Sequence, residues 1–423
     1  MKKQVRPRVE QGPRPTLSFT EQKTGKPPKH FADYSFSQRQ DLLVDLGYPK
    51  FRAAQLSQHY FVNHQVDPEL MTDLPAQNRE ELVEKVFPPL ITKVKEQIAD
   101  GGDTIKILWR LFDGVVVESV LMKYPGRATL CISSQAGCGM ACPFCATGQA
   151  GLTRNLSTAE IIEQLRENIL VAESGVFGEP VRLSNIVFMG MGEPLVNFPA
   201  VSAALERMVR PAPEGFGISA RNITVSTVGL VPVIDKLAAL DIPVTLAVSL
   251  HAPDDGLRDD LIPINSRYKV GELLDAARRY FRSNGRRVSI EYALIKDMND
   301  HKWRAELLAH ELNSRGKGWA HVNPIPLNPT PGSIWTAATK KAEREFVQTL
   351  LDAGISTTVR DTRGSDIDGA CGQLAAEAVD RDNVARRAAK AQAAVDARIA
   401  SHRERPENLD EILQEAKSYG EAE

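Results

Sequence analysis

The chain contains little cysteine and no long hydrophobic run. Five cysteines in 423 residues, four of them close together, do not make a disulfide framework, because such frameworks spread an even set of cysteines through a small secreted domain. No segment approaches the roughly 18 consecutive apolar residues that a membrane span needs. The charged, proline-rich N-terminus also has no apolar core of a secretory signal. We therefore expect a cytoplasmic protein that does not bind a membrane.

An excess of positive charge is missing too. The 52 basic and 54 acidic residues give a net charge of −2, which argues against a generally basic nucleic-acid binder. The charges are nevertheless uneven, since residues 1–30 carry eight bases and two acids, whereas residues 404–423 carry seven acids and two bases. We predict a disordered basic arm over residues 1–34. Such an arm either contacts phosphate or only solubilises the chain.

The rest of the chain divides into four segments. Residues 35–95 space their apolar residues at three and four around a break at 47–49, which predicts a small helical accessory domain. Residues 96–126 follow as a β-hairpin extension with its turn at 113–114. Residues 127–374 form the predicted core, and residues 375–423 form a helical and acidic C-terminal extension.

Within the core, apolar β-rich runs alternate with helical patterns. This alternation predicts an α/β fold with a parallel sheet, as a full or partial βα-barrel whose chemistry lies at the carboxyl ends of the strands. The predicted strands are 129–133, 184–190, 222–228, 243–250, 287–295, 321–327 and 355–360.

Three cysteines, Cys138, Cys142 and Cys145, follow the first of these strands at CxxxCxxC spacing. A structural zinc site needs four ligands, and Cys131 could be the fourth. An iron–sulfur cluster on three thiolates instead keeps one iron open for chemistry. The spacing favours the cluster without excluding zinc.

The same loop has an aromatic residue, Phe144, before its last cysteine, and it resembles the signature of radical S-adenosylmethionine enzymes. The resemblance implies that Cys138, Cys142 and Cys145 hold a [4Fe-4S] cluster whose fourth iron binds S-adenosylmethionine. A second mark is the turn GMGEP at 190–194, which alone is a common turn sequence that indicates a mere turn as readily as a functional site. Beside the cysteine loop, it implies cofactor binding.

The combination of SSQAGCGMACPFCATG, GMGEP, STVG, SLHAP, NPIPLNP and TRGSDIDGACGQL narrows the resemblance to the RlmN group of dual-specificity RNA adenine C2 methyltransferases. The likeness covers residues 35–374 and is weaker to the related Cfr C8 methyltransferases. It implies a partial (βα)6 TIM-type barrel of the radical SAM class with a small N-terminal helical domain. The implied reaction methylates C2 of adenine 2503 in 23S rRNA, and of adenine 37 in some tRNAs, with two S-adenosylmethionine molecules per turnover.

Two alternatives remain open at this point. A Cfr-like C8 methyltransferase would use the same cysteines, and no single residue decides between C2 and C8. A zinc-stabilised RNA-binding protein would account for the cysteine loop and the basic arm, but it leaves GMGEP and Cys371 unexplained.

The resemblance also assigns three catalytic residues. Cys371 would carry the methyl group as S-methylcysteine, Glu118 would accept the C2 proton, and Cys131 would release the product through a transient disulfide with Cys371. Without the resemblance, Cys371 could be a small buried hydrophobe, although its glycine-rich loop after the last predicted strand favours an exposed nucleophile. Glu118 alone would be interpreted as a solvent-facing strand residue.

Cofactor contacts and partners follow from the same resemblance. His251 by itself would be a structural histidine, and we interpret it as a positioning contact. The basic and aromatic segment 278–287 either faces RNA or is the solvated end of a barrel helix, and the second is favoured. The expected partners are 23S rRNA, tRNA and an electron donor such as flavodoxin or ferredoxin, and we expect a monomer. The implied S-adenosylmethionine contacts are Gly192, Glu193, Ser226, Ser249, Leu250, His251 and Asn328.

Overall fold

The computed structural model describes residues 25–374, 381–399, 405–406 and 408–415. Most of the predicted basic arm and half of the acidic tail at 404–423 therefore lie outside the described residues. The last part of the predicted arm is not disordered, because Phe31–Asp33 forms a 3-10 turn and Phe31 is fully buried. Its ring packs edge-on against Phe87, with 5.2 Å between the ring centroids. Burial of this aromatic surface stabilises the segment against the entropy of disorder.

The N-terminal segment is helical, as predicted. Helix α1 (Phe36–Asp45) begins at a capping box formed by Ser35 and Gln38, as expected of an amphipathic helix start. Helix α2 (Arg52–Ser57) continues into a π-helical turn, and helix α3 (Arg79–Val86) follows. The sheet takes over at residue 91, so the last residues of the segment 35–95 are strand rather than helix.

Four antiparallel strands connect this domain to the core. They are β1 (Ile91–Ala99), β2 (Thr104–Leu111), β3 (Val116–Tyr124) and β4 (Arg127–Cys131). Strands β2 and β3 form the predicted hairpin, with Trp109 opposite Val117. Our strand predictions omit β1, because its side chains are mostly exposed and the sequence ITKVKEQIA gives only a weak alternation signal.

The cysteine loop follows β4 and is framed by a small hairpin. Strand β5 (Gln135–Gly137) precedes the loop, and α4 (Ala146–Ala150) and β6 (Leu152–Asn155) follow it. Strands β5 and β6 pair in antiparallel fashion. The three cysteines therefore lie on a connection that is closed at its base by backbone hydrogen bonds.

The core continues with alternating helices and strands. In chain order these are α5 (Thr158–Glu173), β7 (Leu183–Phe188), α6 (Phe198–Val209), β8 (Ile223–Thr227), α7 (Val231–Ala238), β9 (Thr245–Ser249), α8 (Asp255–Leu261), α9 (Val270–Asn284), β10 (Val288–Leu294), α10 (Lys302–Asn313), β11 (Ala320–Pro326) and α11 (Lys340–Asp352). The main sheet has the order β1-β2-β3-β4-β7-β8-β9-β10-β11. Six strands, from β4 to β11 in that order, are parallel. This arrangement confirms the predicted partial (βα)6 barrel.

The predicted strand at 355–360 is wrong as a regular strand. The segment runs beside β11 with one isolated bridge between Val322 and Thr357. Arg360 N also donates to Pro324 O at 2.8 Å. Pro324 and Pro326 have no N–H group, so β11 lacks the donors that a complete ladder requires.

The C-terminal extension contains α12 (Arg381–Ile399) and α13 (Leu409–Glu415). Helix α12 is the predicted terminal helix, although its predicted first residues, 375–380, lie outside the described residues. It packs on the cysteine loop, where Gln392 Nε2 donates to Pro143 O at 2.9 Å. Across the described residues, no helix has the length and apolar character needed to span a membrane.

Candidate active site

The carboxyl ends of the parallel strands surround a cavity, which we call the cofactor cavity. Its wall combines the cysteine loop, the loop after β7, the ends of β8 and β9, and the loop after β11. This is the edge of the sheet at which a βα-barrel places its chemistry. Ten of the predicted site residues line it: Cys138, Cys142, Cys145, Gly192, Glu193, Ser226, Ser249, His251, Asn328 and Cys371.

A second, smaller cavity adjoins the first, and we call it the hairpin cavity because β3 forms one wall. Cys131 lines the hairpin cavity together with Val120 and Met122. Cys371 and Asn328 line both cavities. The predicted methyl carrier therefore lies at the boundary between the two spaces.

The cysteine loop holds three free thiols on the wall of the cofactor cavity. Burial, followed by the neighbouring Cys145 thiol, raises the pKa of Cys138 to about 12. Burial also raises the pKa of Cys142 well above its usual range. Such thiols become ligands only when a metal centre supplies positive charge.

The donor set is consistent with a cluster on three thiolates. In the described part of the chain, no group of three or more His, Cys, Asp or Glu side chains could hold a metal ion as it stands. The three thiols line the cofactor cavity together with Glu193 and His251. Helix α4 and the cysteine loop are joined by Gln149 Nε2, which donates to Cys142 O at 3.0 Å, so the loop is fixed by its own neighbours.

The GMGEP turn has tight packing that explains its glycines. A Cβ atom on Gly190 would lie 2.6 Å from Ile132 O, and one on Gly192 would lie 2.5 Å from Gln135 Cβ. Gly192 also has a φ of +102°, which side-chain-bearing residues rarely adopt. These glycines therefore admit the loop after β4, against which the turn packs.

Glu193 is buried at the cofactor cavity, and its carboxylate ties neighbouring loops together. Oε2 accepts from Val228 N at 2.9 Å and Oε1 accepts from Leu195 N at 3.1 Å. Burial raises the pKa of Glu193 to about 7, although these hydrogen bonds oppose the shift. The carboxyl group therefore titrates near neutral pH and can meet a cationic ligand as an anion above that pH.

His251 lines the same cavity as a neutral ring. Burial, followed by the charge of Arg258, lowers the pKa of His251 to about 3. Nδ1 accepts from Ala293 N at 2.9 Å, which leaves the ring proton on Nε2. The ring also packs edge-on against Phe144 at 5.0 Å between centroids. A histidine in this state can donate a hydrogen bond, but it does not act as an acid near neutral pH.

Two predicted site residues do not line either cavity. Leu250 is fully buried in the apolar core, and its carbonyl oxygen accepts from Arg258 Nε at 2.9 Å. Glu118 is also fully buried, so the solvent-facing interpretation of this residue is wrong. It lies on the face of β3 that also carries Val120 and Met122, because side chains two residues apart share a face. Glu118 is therefore next to the hairpin cavity.

Contacts from the end of the cysteine loop and from the loop after β11 hold the loop that carries Cys371. Ala146 N donates to Gly372 O at 2.8 Å, and Asn328 Nδ2 donates to Cys371 O at 3.1 Å. The two cysteine-bearing loops are thus in direct contact, although more than 220 residues separate them along the chain.

Sequence reasoning missed two basic residues at the site. Arg360 lines both cavities, and its pKa is raised first by Cys371 and then by Glu291 and Cys131. Lys106 is buried on β2, with Nζ 3.5 Å from Glu118 Oε1. Lys106 falls within an apolar run, TIKILW, which is the one signal that could have indicated burial. Nothing in the local sequence around Arg360 distinguishes it from a surface residue.

The basic segment 278–287 lies away from the cavities. It ends α9 and leads into β10, so it is at the amino edge of the parallel strands, whereas both cavities are at the carboxyl edge. Arg279 Nη2 pairs with Asp235 Oδ2 at 3.0 Å on α7. This position supports the interpretation of the segment as the end of a barrel helix.

Comparisons with known proteins agree with this site. The Radical SAM superfamily model matches residues 132–308, which include the cysteine loop. The dual-specificity RNA methyltransferase RlmN of Kocuria rhizophila is 60% identical over 379 residues, which cover 89% of this chain and 98% of that protein. The protein of the same name from Salinispora tropica is 63% identical over 351 residues, or 83% and 94% of the two chains.

The chain belongs to the RlmN family of dual-specificity RNA methyltransferases. A crystal structure of a radical SAM methyltransferase from Sphaerobacter thermophilus shares the fold of this RlmN family member, with a TM-score of 0.78 and 44% identity. The match covers 83% of this chain and all of that one. Membership in the family brings a [4Fe-4S] cluster and S-adenosylmethionine as cofactors, and the cysteine loop and cofactor cavity fit them.

Proposed function

We propose that this enzyme methylates C2 of adenine 2503 in 23S rRNA through a methyl group carried on Cys371. The observation that carries the proposal is the position of Cys371, which lines both the cofactor cavity and the hairpin cavity. One space holds the three predicted cluster ligands, and the other holds Cys131. A carrier at the boundary can receive a group on one side and deliver it on the other.

The carrier is needed because of the target carbon. C2 of adenine has no nucleophilic lone pair, so it does not attack a sulfonium methyl group directly. A cysteine thiolate does attack such a methyl group, with displacement of the thioether leaving group. Arg360 lines both cavities together with Cys371, so a positive charge is present where this first step takes place.

The cofactors supply what the side chains lack: when bound, the cluster and S-adenosylmethionine provide the methyl group and the one-electron cleavage that yields a 5′-deoxyadenosyl radical. In the cofactor cavity, Cys138, Cys142 and Cys145 would hold the cluster. Glu193 and the neutral ring of His251 would orient the methionyl group and the adenosine. The thioether on Cys371 would face this cavity while hydrogen is removed from its methyl group.

The hairpin cavity would hold the adenine, extruded from its RNA. After the methylene carbon on Cys371 bonds to C2, the adduct is a radical. It loses its C2 proton to Glu118 and passes one electron back to the electron donor. Cys131 then attacks the Cys371 sulfur, the S–CH₂ bond breaks, and the methylene carbon takes up a proton to become methyl. The two thiols are left as a disulfide, which an external thiol reductant reduces before the next turnover.

Finer points belong to the same proposal. We infer that adenine 37 of tRNA is a second substrate, that a flavodoxin or ferredoxin delivers the electron, and that the enzyme acts as a cytoplasmic monomer. The N-terminal helical domain and the basic arm would grip the RNA. The names of the relatives specify RNA and dual specificity, which favours two RNA substrates and C2 chemistry over the C8 alternative.

The direct test is a product assay. Protein reconstituted anaerobically with iron and sulfide is incubated with S-adenosylmethionine, a reductant and an unmodified 23S rRNA fragment, in parallel with an unmodified tRNA. Nucleoside mass spectrometry should detect 2-methyladenosine from both RNAs. Formation of 8-methyladenosine would support the Cfr-like alternative, and a loaded cluster without any methylated adenine would contradict the proposal.

A further inference from the structure

The strand β2 contains a buried lysine that the reaction described above leaves without a role. Lys106 is 3% exposed, and its neighbours on the strand, Ile105 and Ile107, are fully buried. A buried ammonium group is destabilising unless a charged or polar partner compensates it. The groups that compensate the charge of Lys106 should therefore indicate what the residue does.

Lys106 has partners on two different elements. Its Nζ lies 3.5 Å from Glu118 Oε1, on the neighbouring strand β3. Lys106 is opposite Val120 in the hairpin, so Glu118 is its diagonal neighbour on the same face, where long side chains meet. Nζ also donates to Asp368 O at 3.5 Å, and Asp368 is three residues before Cys371.

We propose that Lys106 is a positioning residue, which keeps Glu118 ionised beside the hairpin cavity and links it to the loop that carries Cys371. This inference rests on the proposed function, in which Glu118 accepts the C2 proton. Glu118 is fully buried, and a buried carboxyl group without a nearby cation favours its neutral form. A neutral carboxyl group cannot accept the proton, so loss of Lys106 disables Glu118 without changing Glu118 itself.

The link to Asp368 gives Lys106 a second consequence. The Asp368 backbone has a φ of +52°, an unusual conformation for a side-chain-bearing residue. The same loop is also held at Gly364, whose N donates to Asp100 Oδ2 at 2.9 Å. Lys106 thus connects the predicted proton acceptor to the loop that presents the methyl carrier, within one side chain's reach of both.

The two halves of the reaction separate this role from a purely structural one. Methylation of Cys371 does not use Glu118, whereas completion of transfer to RNA does. A Lys106→Met variant should therefore retain iron and S-methylcysteine at wild-type levels, and yet form 2-methyladenosine at least about a hundredfold more slowly, as expected for loss of a general base. It should also accumulate enzyme covalently linked to RNA, because the reaction stops before the C2 proton leaves.

The experiment uses the reconstituted full chain with an unmodified 23S rRNA fragment. Three readouts are measured: S-methylcysteine at position 371 by peptide mass spectrometry, linked enzyme on denaturing gels, and 2-methyladenosine. Lys106→Arg should restore part of the rate, since it keeps the charge. Lys123→Met is the matched control, because Lys123 is on the same hairpin but pairs with Glu179 (Nζ to Oε1, 3.8 Å), and it should behave as the wild type.

A double variant decides the mechanism of the effect. If Lys106 acts through Glu118, Lys106→Met should slow Glu118→Gln by less than twofold, because the two changes remove the same function. Multiplicative effects would overturn the proposal. So would a Lys106→Met enzyme that works at the wild-type rate, or one that loses S-methylcysteine together with product. Failure of the wild type itself to form 2-methyladenosine would instead refute the proposed function.

Discussion

The loop of Cys138, Cys142 and Cys145 and the loop of Cys371 are both short and glycine-containing, but they are held in different ways. The first is closed at its base by the β5–β6 hairpin and has α12 packed on it. The second is held by single contacts from separate elements, such as Asn328 and Ala146. This difference is suited to a fixed ligand site on one side and a carrier that serves two cavities on the other.

The largest expected effect comes from removing one thiol from each loop. Cys142→Ala should lose bound iron, because the cluster needs all three thiolates. Cys371→Ala should keep its iron but lose 2-methyladenosine formation by a factor on the order of 10³ or more, because removal of a covalent nucleophile is severe. Iron analysis beside nucleoside mass spectrometry separates the two outcomes. Equal iron loss in both variants would abolish the distinction between the loops.

A smaller effect is expected from pH. The pKa of Glu193 is raised to about 7 by burial, so the group is mostly neutral at pH 6 and mostly ionised at pH 8. Attraction to the ammonium group of S-adenosylmethionine should strengthen binding by up to about tenfold over that range. Equilibrium dialysis with the reconstituted protein measures this change.

The matched variant is Glu193→Gln, whose binding should hardly depend on pH between 6 and 8. The same raised pKa predicts the opposite trend for stability without ligand. The contribution of Glu193 to the stability of the ligand-free protein is fully present below the ordinary glutamate pKa of 4.5, and it is lost as pH rises through about 7. In the binding experiment, tighter binding of S-adenosylmethionine by the wild type at pH 6 than at pH 8 would contradict the role assigned to Glu193.

A variant in helix α12 tests how much this helix stabilises the loop of Cys138, Cys142 and Cys145. Gln392→Ala removes the hydrogen bond to Pro143 O, which contributes about 1 kcal/mol. We expect iron to be lost in air a few times faster, as followed by the decay of cluster absorbance. Lys390→Ala changes an exposed residue of the same helix and should leave the decay unchanged. Equal decay in Gln392→Ala and the wild type would mean that α12 does not hold the loop.

The smallest effect is expected at the opposite edge of the barrel. Arg279→Ala breaks a surface ion pair with Asp235, and such pairs contribute at most about 1 kcal/mol. Because the residue is far from the carboxyl edge of the strands, RNA methylation should change by less than twofold. A loss of RNA binding in a filter assay would show instead that segment 278–287 faces the substrate.

The sequence predicts the barrel and most of the site because both depend on local patterns. Alternation of strands and helices indicates the parallel sheet, and the strand-end rule brings Ser226, Ser249 and Asn328 to one cavity. Strand β1 is not predicted, because it is an exposed edge strand without a clear alternation of apolar residues. The segment 355–360 is wrongly predicted as a strand, because the prolines that interrupt its pairing are on β11 and not in the segment itself.

The remainder depends on contacts between distant parts of the chain. The neighbours of Glu118 on its strand predict an exposed side chain. Its burial becomes evident only when the hairpin is packed against the barrel. The roles of Lys106 and Arg360 depend on the side chains that they contact in the folded protein, and no spacing in the sequence reveals those contacts. Leu250 shows the reverse case, since its side chain is buried in the core although the residue lies inside a recognised motif.

The central claim is that Cys371 carries the methyl group between the two cavities, and isotope retention tests it most directly. A single turnover with S-adenosylmethionine bearing a CD₃ group should first label Cys371 with CD₃. It should then give 2-methyladenosine that keeps two deuterium atoms, because one is removed on the carrier and a solvent proton replaces it. A product that retains all three deuterium atoms would show direct transfer and contradict the account.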